Sequence, residues 1–95
     1  MIQSFRCKET EKIFNLDRSK KFPPDIQQVA LRKLKMLYRS VTVTDLRIPP
    51  ANRLEKLQGD RAGQWSIRVN NQWRICFDWK DGHSFNVEIV DYHYI

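Results

Sequence analysis

The last residues of this 95-residue chain bring together three side chains that can move protons. Asp91, Tyr92 and His93 supply a carboxylate, a phenol and an imidazole where the last apolar run ends. His93 is the better candidate for a general acid or base, because an imidazole titrates near neutrality and the other histidine, His83, is predicted in a hairpin turn. A histidine near a C-terminus can equally be an ordinary surface residue, and Asp91 can simply end the strand.

Two arginines are predicted to lie side by side on the sheet that leads to this cluster. Apolar residues that alternate along a strand fix its buried face, so a three-residue loop at 70–72 sets Arg68 opposite Arg74. A three-residue loop at 80–82 then places Glu88 opposite Arg74, with Tyr92 further along the same face. Facing like charges cost only about 0.2–1 kcal/mol. Two interpretations stay open: a solvated face with one Arg–Glu pair, or a site where guanidinium groups bind a phosphate.

Other kinds of catalytic site find little support in the sequence. Cys7 and Cys76 lack an activating pattern for a thiol nucleophile, and no serine elbow or glycine-rich phosphate loop occurs. The spacing of Cys and His does not predict a metal site. An enzyme made of these residues uses acid–base groups and arginines, and we expect no cofactor. Such chemistry suits phosphodiester cleavage by an internal 2′-hydroxyl, which needs only proton transfers and charge stabilisation.

The charge of the chain points to an anionic partner. Seventeen Lys and Arg against eleven Asp and Glu give a net charge of +6, and the pI is near 9.6. The excess lies entirely in residues 1–50, which hold eleven basic and five acidic residues. A basic domain of this kind is typical of proteins that approach phosphate backbones, although solubility alone also explains net charge. No apolar run is long enough for a signal peptide or a bilayer span, so we expect a cytoplasmic protein without membrane contact.

The elements that position these residues belong to one domain, 1–95. Helical spacing of apolar residues after Pro23 and Pro24 predicts a strong helix, and a weaker helix precedes it; the run at 41–46 is ambiguous. Alternating patterns predict the strands. The helices are expected at 9–15 and 25–40, and the strands at 2–5, 53–57, 65–69, 73–79 and 85–90. This order predicts an α+β fold in which helices pack on one face of a mainly antiparallel sheet.

Several sequence motifs, taken together, resemble those of a known family. They are LEKLQGDRAGQWSIRV at 54–69, QWRI at 72–75, the ending DYH at 91–93 and the opening MIQSF. With these motifs the chain resembles the HigB toxins, which belong to the RelE-like branch of toxin–antitoxin systems and are also called plasmid maintenance killer proteins. The resemblance covers essentially the whole chain. It implies a compact RelE-like fold, with an N-terminal strand and two helices packed on a mainly antiparallel twisted sheet.

The resemblance also implies an activity and partners. These are a ribosome-dependent endoribonuclease that cuts mRNA in the A site, and a HigA-type helix-turn-helix antitoxin that neutralises it. From the residues themselves we expect this cut to need no metal. By the family's pattern, Arg74 stabilises the scissile phosphate and Asp91, Tyr92 and His93 form the catalytic cluster. His93 and Asp91 then serve proton transfer and orientation, and Tyr92 positions or stacks on the substrate.

The chain departs from the family pattern at two positions. Gln58 replaces a lysine that the family often has before its Gly-Asp pair, and Glu55 stands where some members have a histidine. Gln58 can hydrogen-bond a phosphate or a base but brings no charge. Arg68, Arg61 or Lys56 can compensate with a positive charge. The predicted RNA-binding residues are therefore Arg68, Gln58, Lys56 and Arg61. Our hypothesis is that Arg68 supplies the missing cation, because it is predicted opposite Arg74.

Two other functions remain open from the sequence. The same arginines suit a non-catalytic module that binds the ribosome or a nucleic acid. The chain can also act mainly as a co-repressor partner of the antitoxin, with operator DNA bound only through the antitoxin complex. The basic excess of residues 1–50 indicates docking on ribosomal RNA or contact with the antitoxin, and such association is expected to weaken with salt.

Overall fold

The computed structural model describes residues 1–92, so His93 lies outside the described residues. Within this range the elements are helices α1 (Lys8–Phe14) and α2 (Pro24–Arg39), and strands β1 (Glu55–Lys56), β2 (Trp65–Arg68), β3 (Trp73–Lys80) and β4 (His83–Asp91). Short 3-10 turns occupy Val43–Arg47, Pro50–Asn52 and Gly59–Arg61. The expected α+β fold is confirmed, with helices packed on an antiparallel sheet of order β1-β2-β3-β4. Neither helix is long and apolar enough to cross a bilayer.

Helix α2 supplies most of the helical side of the core. Pro24 occupies its first turn, where a missing N–H costs nothing. Its buried face repeats at helical spacing through Ile26, Ala30, Leu34 and Leu37. These side chains pack in one hydrophobic cluster with the inner face of the sheet, which includes Ile67, Ile75, Phe77 and Val87. The ambiguous run at 41–46 forms most of a 3-10 turn that Thr42 and Asp45 cap.

The N-terminal segment is less regular than expected. In place of a strand at 2–5, two isolated parallel bridges join Ile2 to Ser84 and Phe5 to Val87. The backbone of Gln3 and Arg6 still donates hydrogen bonds to β4. The segment therefore follows the outer edge of the sheet without forming a continuous ladder.

The first hairpin has the predicted register. Ile67 pairs with Ile75 and Arg68 pairs with Arg74 across β2 and β3. The side chain of Asn70 accepts hydrogen bonds from the backbone N–H groups of Gln72 and Trp73, which closes the loop. The two arginines thus start from adjacent positions on the face of the sheet that points away from the helices.

The second hairpin differs from the prediction in its turn and its register. Lys80 pairs with His83, so the turn has two residues, and both Asp81 and Gly82 have positive φ, as a type I′ turn requires. Two residues of β4, one of them Asn86 with φ 53°, then lie opposite Phe77. This β-bulge returns the apolar residues of β4 to the core face after the shorter turn.

The shorter turn and the bulge together change the partners on the outer face. Glu88 pairs with Cys76 and Val90 pairs with Arg74, so the prediction that Glu88 lies opposite Arg74 is wrong. Arg74 and Cys76 do lie on the face away from the helices, but both are buried there. Arg74 is covered by the carbonyl oxygens of Arg53 and Ser66, and Arg61 of the Gly59–Arg61 turn bonds to Glu88, the ladder partner of Cys76. Strand alternation alone does not indicate these contacts.

Replacing Gly82 with alanine is expected to destabilise the fold. Its φ is 81°, and an added Cβ lies 3.3 Å from the carbonyl oxygen of Val41. We expect Gly82→Ala to lower the free energy of unfolding by about 1–2 kcal/mol, measured by chemical denaturation. Asp81→Asn is the matched control and should leave stability unchanged, because asparagine also suits this turn position. An alanine variant as stable as the wild type would show that the turn is not held in this conformation.

Candidate active site

A cleft of about 170 Å³ opens on the face of the sheet away from the helices. Arg53 and strand β1 lie on one side of the cleft, and the β2–β3 hairpin lies on the other. Tyr92, which follows β4, closes the end of the cleft. Its lining residues are Arg53, Glu55, Arg68, Asn70, Asn71, Arg74 and Tyr92. Three of the seven are arginines and one is a carboxylate, so the cleft combines cations with a group able to accept a proton.

Arg74 is the most rigidly held of these side chains. Its Nε donates to the hydroxyl of Ser66 at 2.8 Å, and its Nη2 donates to the carbonyl oxygen of Arg53 at 2.6 Å and to that of Ser66 at 3.3 Å. Only 4% of the residue is exposed. A guanidinium fixed at three points loses little conformational freedom when it binds a ligand.

The electrostatics of the cleft centre on the same guanidinium. Burial lowers the pKa of Arg74, while Glu55 and Tyr92 oppose this shift, and an arginine keeps its charge at neutral pH. Glu55 Oε2 lies 3.8 Å from Nη2, and the ring of Tyr92 lies 5.3 Å from the guanidinium carbon. Within residues 1–92, no acceptor bonds to Nη1 of Arg74. Its two N–H groups can therefore donate to an anion in the cleft.

Arg68 and Tyr92 complete the cleft as the sequence analysis expected. Arg68 is opposite Arg74 in the ladder and donates to the side-chain oxygen of Asn71 in the hairpin loop. Tyr92 is 40% exposed, beside the guanidinium of Arg74. The guanidinium groups of Arg68 and Arg74 can bind a phosphate, and the exposed ring of Tyr92 can stack on the base attached to it.

Asp91 lies on the other face of its strand. It pairs with Trp73, and its carboxylate accepts a hydrogen bond from the amide of Gln72 at 2.9 Å. Because its ladder partner Trp73 packs against the core, Asp91 lies on the helix side of the sheet and is not among the residues that line the cleft with Tyr92. His93, the third member of the predicted cluster, lies outside the described residues.

The predicted RNA-binding residues of the 56–61 segment lie around the cleft, not in it. Lys56 pairs with Trp65, and its Nζ lies 5.5 Å from the centre of a Trp65 ring. Gln58 is exposed and precedes the 3-10 turn Gly59–Arg61. Arg61 donates to Glu88 at 2.9 Å, so Glu88 pairs with this arginine in a neighbouring cavity and not with Arg74.

The sequence analysis missed several lining residues. Arg53, Asn70 and Asn71 carried no recognised motif, and Glu55 was noted only as a departure from a family pattern. A signal was available for the two asparagines, since the predicted hairpin places their loop beside Arg68 and Arg74. None was available for Arg53, because it holds Arg74 through its backbone carbonyl, 21 residues away in sequence.

Two further facts bear on the chemistry of this face. Burial raises the pKa of the Cys76 thiol to about 11, so it stays protonated at neutral pH. Among residues 1–92, no three His, Cys, Asp or Glu side chains are grouped to hold a metal ion.

Comparisons with known proteins agree with the fold and the motifs. The model of the HigB-like toxins, described as RelE-like toxins of type II toxin–antitoxin systems, matches residues 3–93. Toxin HigB-1 of Vibrio cholerae is 39% identical over 95 residues, covering 99% of this chain and 100% of that protein. Endoribonuclease HigB of Proteus vulgaris is 31% identical over 94 residues, covering 98% and 100%.

Solved structures show the same fold at low identity. YafQ from Escherichia coli has a TM-score of 0.67 at 12% identity, covering 99% of this chain and 94% of that chain. A chain of the YoeB–YefM complex from Staphylococcus aureus has a TM-score of 0.60 at 20% identity, covering 99% and 97%. Because the family model matches residues 3–93 of the 95, the chain belongs to the HigB-like toxins of type II toxin–antitoxin systems.

Proposed function

We propose that this toxin is an endoribonuclease that cuts mRNA in the ribosomal A site, without a metal, by acid–base chemistry through the 2′-hydroxyl. The observation that carries the proposal is the guanidinium of Arg74, clamped by Ser66 and Arg53 at the floor of an open cleft. The name of the Proteus vulgaris relative, an endoribonuclease, supports the same activity.

The reaction transfers two protons, forms one bond between phosphorus and oxygen, and breaks another. The 2′-oxygen loses its proton and forms a bond to phosphorus, and the bond to the 5′-oxygen breaks as that oxygen gains a proton. Negative charge grows on the non-bridging oxygens in between. Arg74 donates from Nη1 to one of these oxygens, and Arg68 adds a second cation at the rim. Preorganised donors of this kind commonly lower a barrier by several kcal/mol.

The proton transfers need a base and an acid in reach of the scissile bond. Glu55 is the carboxylate that lines the cleft, 3.8 Å from Arg74, and we assign it the role of proton acceptor. His93 follows Tyr92 directly and is proposed to protonate the leaving oxygen. Tyr92 positions or stacks on the substrate, and Asp91, held by Gln72, orients the end of the chain.

The remaining predicted residues are proposed to bind RNA around the cleft. Lys56 and Arg61 flank the turn that follows Gln58, which hydrogen-bonds a phosphate or base in place of a lysine. Arg68, opposite Arg74 and next to the hairpin loop, is proposed to supply the cation that Gln58 lacks. Arg68→Ala therefore weakens cutting under this proposal.

The partners follow from the family. We propose that a HigA-type helix-turn-helix antitoxin binds and neutralises the toxin in the cytoplasm, and that operator DNA is bound only through that complex. The basic excess of residues 1–50 is available for ribosomal RNA or for the antitoxin.

The experiment that tests the proposal is expression of the toxin alone. We expect growth to stop and a reporter mRNA to be cut inside its reading frame, because the ribosome presents the substrate. The same reporter without its start codon is the control and should stay intact. Cuts in both reporters would indicate a nuclease for free RNA, and intact mRNA with tight ribosome binding would support a non-catalytic module.

A further inference from the structure

A buried lysine lies beneath the segment that supports the cleft. Lys33 of α2 is only 6% exposed, and its Nζ donates to the side-chain oxygen of Asn52 at 2.5 Å. Within residues 1–92, no carboxylate lies within ion-pair distance of this ammonium. Burial lowers the pKa of Lys33, and the charges of Arg32 and Arg68 lower it further. Burying an ammonium group without a carboxylate partner costs free energy, so the hydrogen bond to Asn52 is the contact that offsets this cost among residues 1–92.

Asn52 connects this lysine to two other elements. The residue is fully buried at the end of the 3-10 turn Pro50–Asn52. Its amide donates to the carbonyl oxygen of Leu46 at 3.1 Å and lies 3.8 Å from the sulfur of Met36. With Lys33 as donor to its oxygen, the side chain is fixed from α2 and from the Val43–Arg47 turn. Little freedom is left for the backbone that follows.

Arg53, the next residue, has a backbone that neighbours must hold in place. Its φ of 45° and ψ of 56° are left-handed, a conformation unfavourable for a residue with a long side chain. This turn directs the carbonyl of Arg53 at Arg74, where it accepts the hydrogen bond from Nη2 at 2.6 Å. The bonds run without interruption from Lys33 through Asn52 and Arg53 to the guanidinium in the cleft.

We propose that Lys33 and Asn52 are positioning residues for Arg74, acting through the carbonyl of Arg53; this rests on the proposed ribonuclease function. Ser66 fixes Nε and one contact of Nη2, and the Arg53 carbonyl supplies the shortest bond of the clamp. Without the Lys33–Asn52 bond the left-handed turn relaxes and that carbonyl withdraws. Arg74 then keeps its charge, but its guanidinium is no longer held in the orientation that binds the scissile phosphate.

The test uses the purified full-length toxin with ribosomes that carry a defined mRNA. For Lys33→Met we expect the single-turnover cutting rate to fall between about tenfold and a hundredfold, the range for small misplacement of a catalytic group. The affinity for the ribosome should change less than about threefold, since Lys33 is buried. Lys80→Met makes the same chemical change at an exposed position beside the second hairpin turn and should leave both values unchanged.

A double-mutant cycle separates positioning of Arg74 from general loosening of the fold. Arg74→Lys cannot make the same set of bonds, so adding Lys33→Met to it should cause no further loss of rate. Independent, multiplying losses would overturn the proposal, as would a folded Lys33→Met toxin that cuts at the wild-type rate. Asn52→Ala removes the same bond from its other end and must reproduce the rate loss; failure of both single variants to fold would assign the pair a global structural role instead. If the wild type itself does not cut mRNA, the proposed function fails first, and separately.

Discussion

Arg74→Ala is expected to reduce mRNA cutting by a factor of about 10²–10³, the usual cost of removing a preorganised donor to a developing charge. The wild-type guanidinium is almost fully buried, is held by Ser66 and Arg53 in the lining of the cleft, and has no acceptor for Nη1 among residues 1–92, so it can donate to an anion without reorganising. Cutting of a ribosome-bound mRNA, followed in a single turnover, measures the effect. Growth arrest on expression should disappear in parallel.

Two companion variants make this result specific. Arg74→Lys keeps a positive charge but lacks the planar set of donors, and it should recover little of the lost rate. Lys80→Ala removes a charge from the same strand, about 20 Å away by strand rise, and should cut like the wild type. Equal activity of Arg74→Ala and wild type, with both folded, would contradict the assignment of the cleft.

Glu55 is the second residue with a large expected effect. Its carboxylate lines the cleft next to Arg74, and Glu55→Gln removes its ability to accept a proton while keeping its shape. We expect a loss of about 10²-fold or more in the cutting rate. Ribosome affinity should be retained, because a neutral amide removes a negative charge from a site that binds an anion.

Glu55→His gives a readout that a structural role cannot produce. Charged or titratable groups around this position are Arg53, Arg68, Arg74, Tyr92 and, behind them, Cys76. An imidazole that accepts the proton works only when neutral, so its rate relative to wild type falls as pH is lowered from 8 to 6. The fall is about fourfold for an ordinary histidine pKa of ~6.5, and the nearby guanidinium groups move it to lower pH. A ratio that stays constant from pH 8 to 5.5 would argue against proton transfer at this position.

The sequence predicted the fold because its main signals are local and repeated. Helical spacing located α2, and alternation located β2, β3 and β4 with the correct register of the first hairpin. The second hairpin was wrong because alternation does not show a bulge. The turn has two residues in place of three, and the positive φ of Asn86 admits one more residue in β4; together these changes move Glu88 from Arg74 to Cys76.

The cleft was predicted only in part, because some of its contacts join residues that are far apart in the sequence. Arg68 and Arg74 were correctly predicted to share a face because the apolar residues fix the register of the first hairpin. The burial of Arg74 depends on a backbone carbonyl 21 residues away, which no pattern encodes. The placement of Asp91 was readable, however, since it follows Val87 and Ile89 at alternate positions of β4, and these residues are buried in the core.

The most direct test of the central claim is the chemistry of the new RNA ends. Attack by the 2′-hydroxyl leaves a 2′,3′-cyclic phosphate on one fragment and a 5′-hydroxyl on the other. We predict that sequencing of 5′-hydroxyl ends in cells expressing the toxin finds them at a fixed position within codons, and that the Arg74→Ala toxin yields about 10²–10³-fold fewer of them. New ends that carry a 5′-phosphate, or 5′-hydroxyl ends equally abundant with the variant, would contradict cleavage by this cleft.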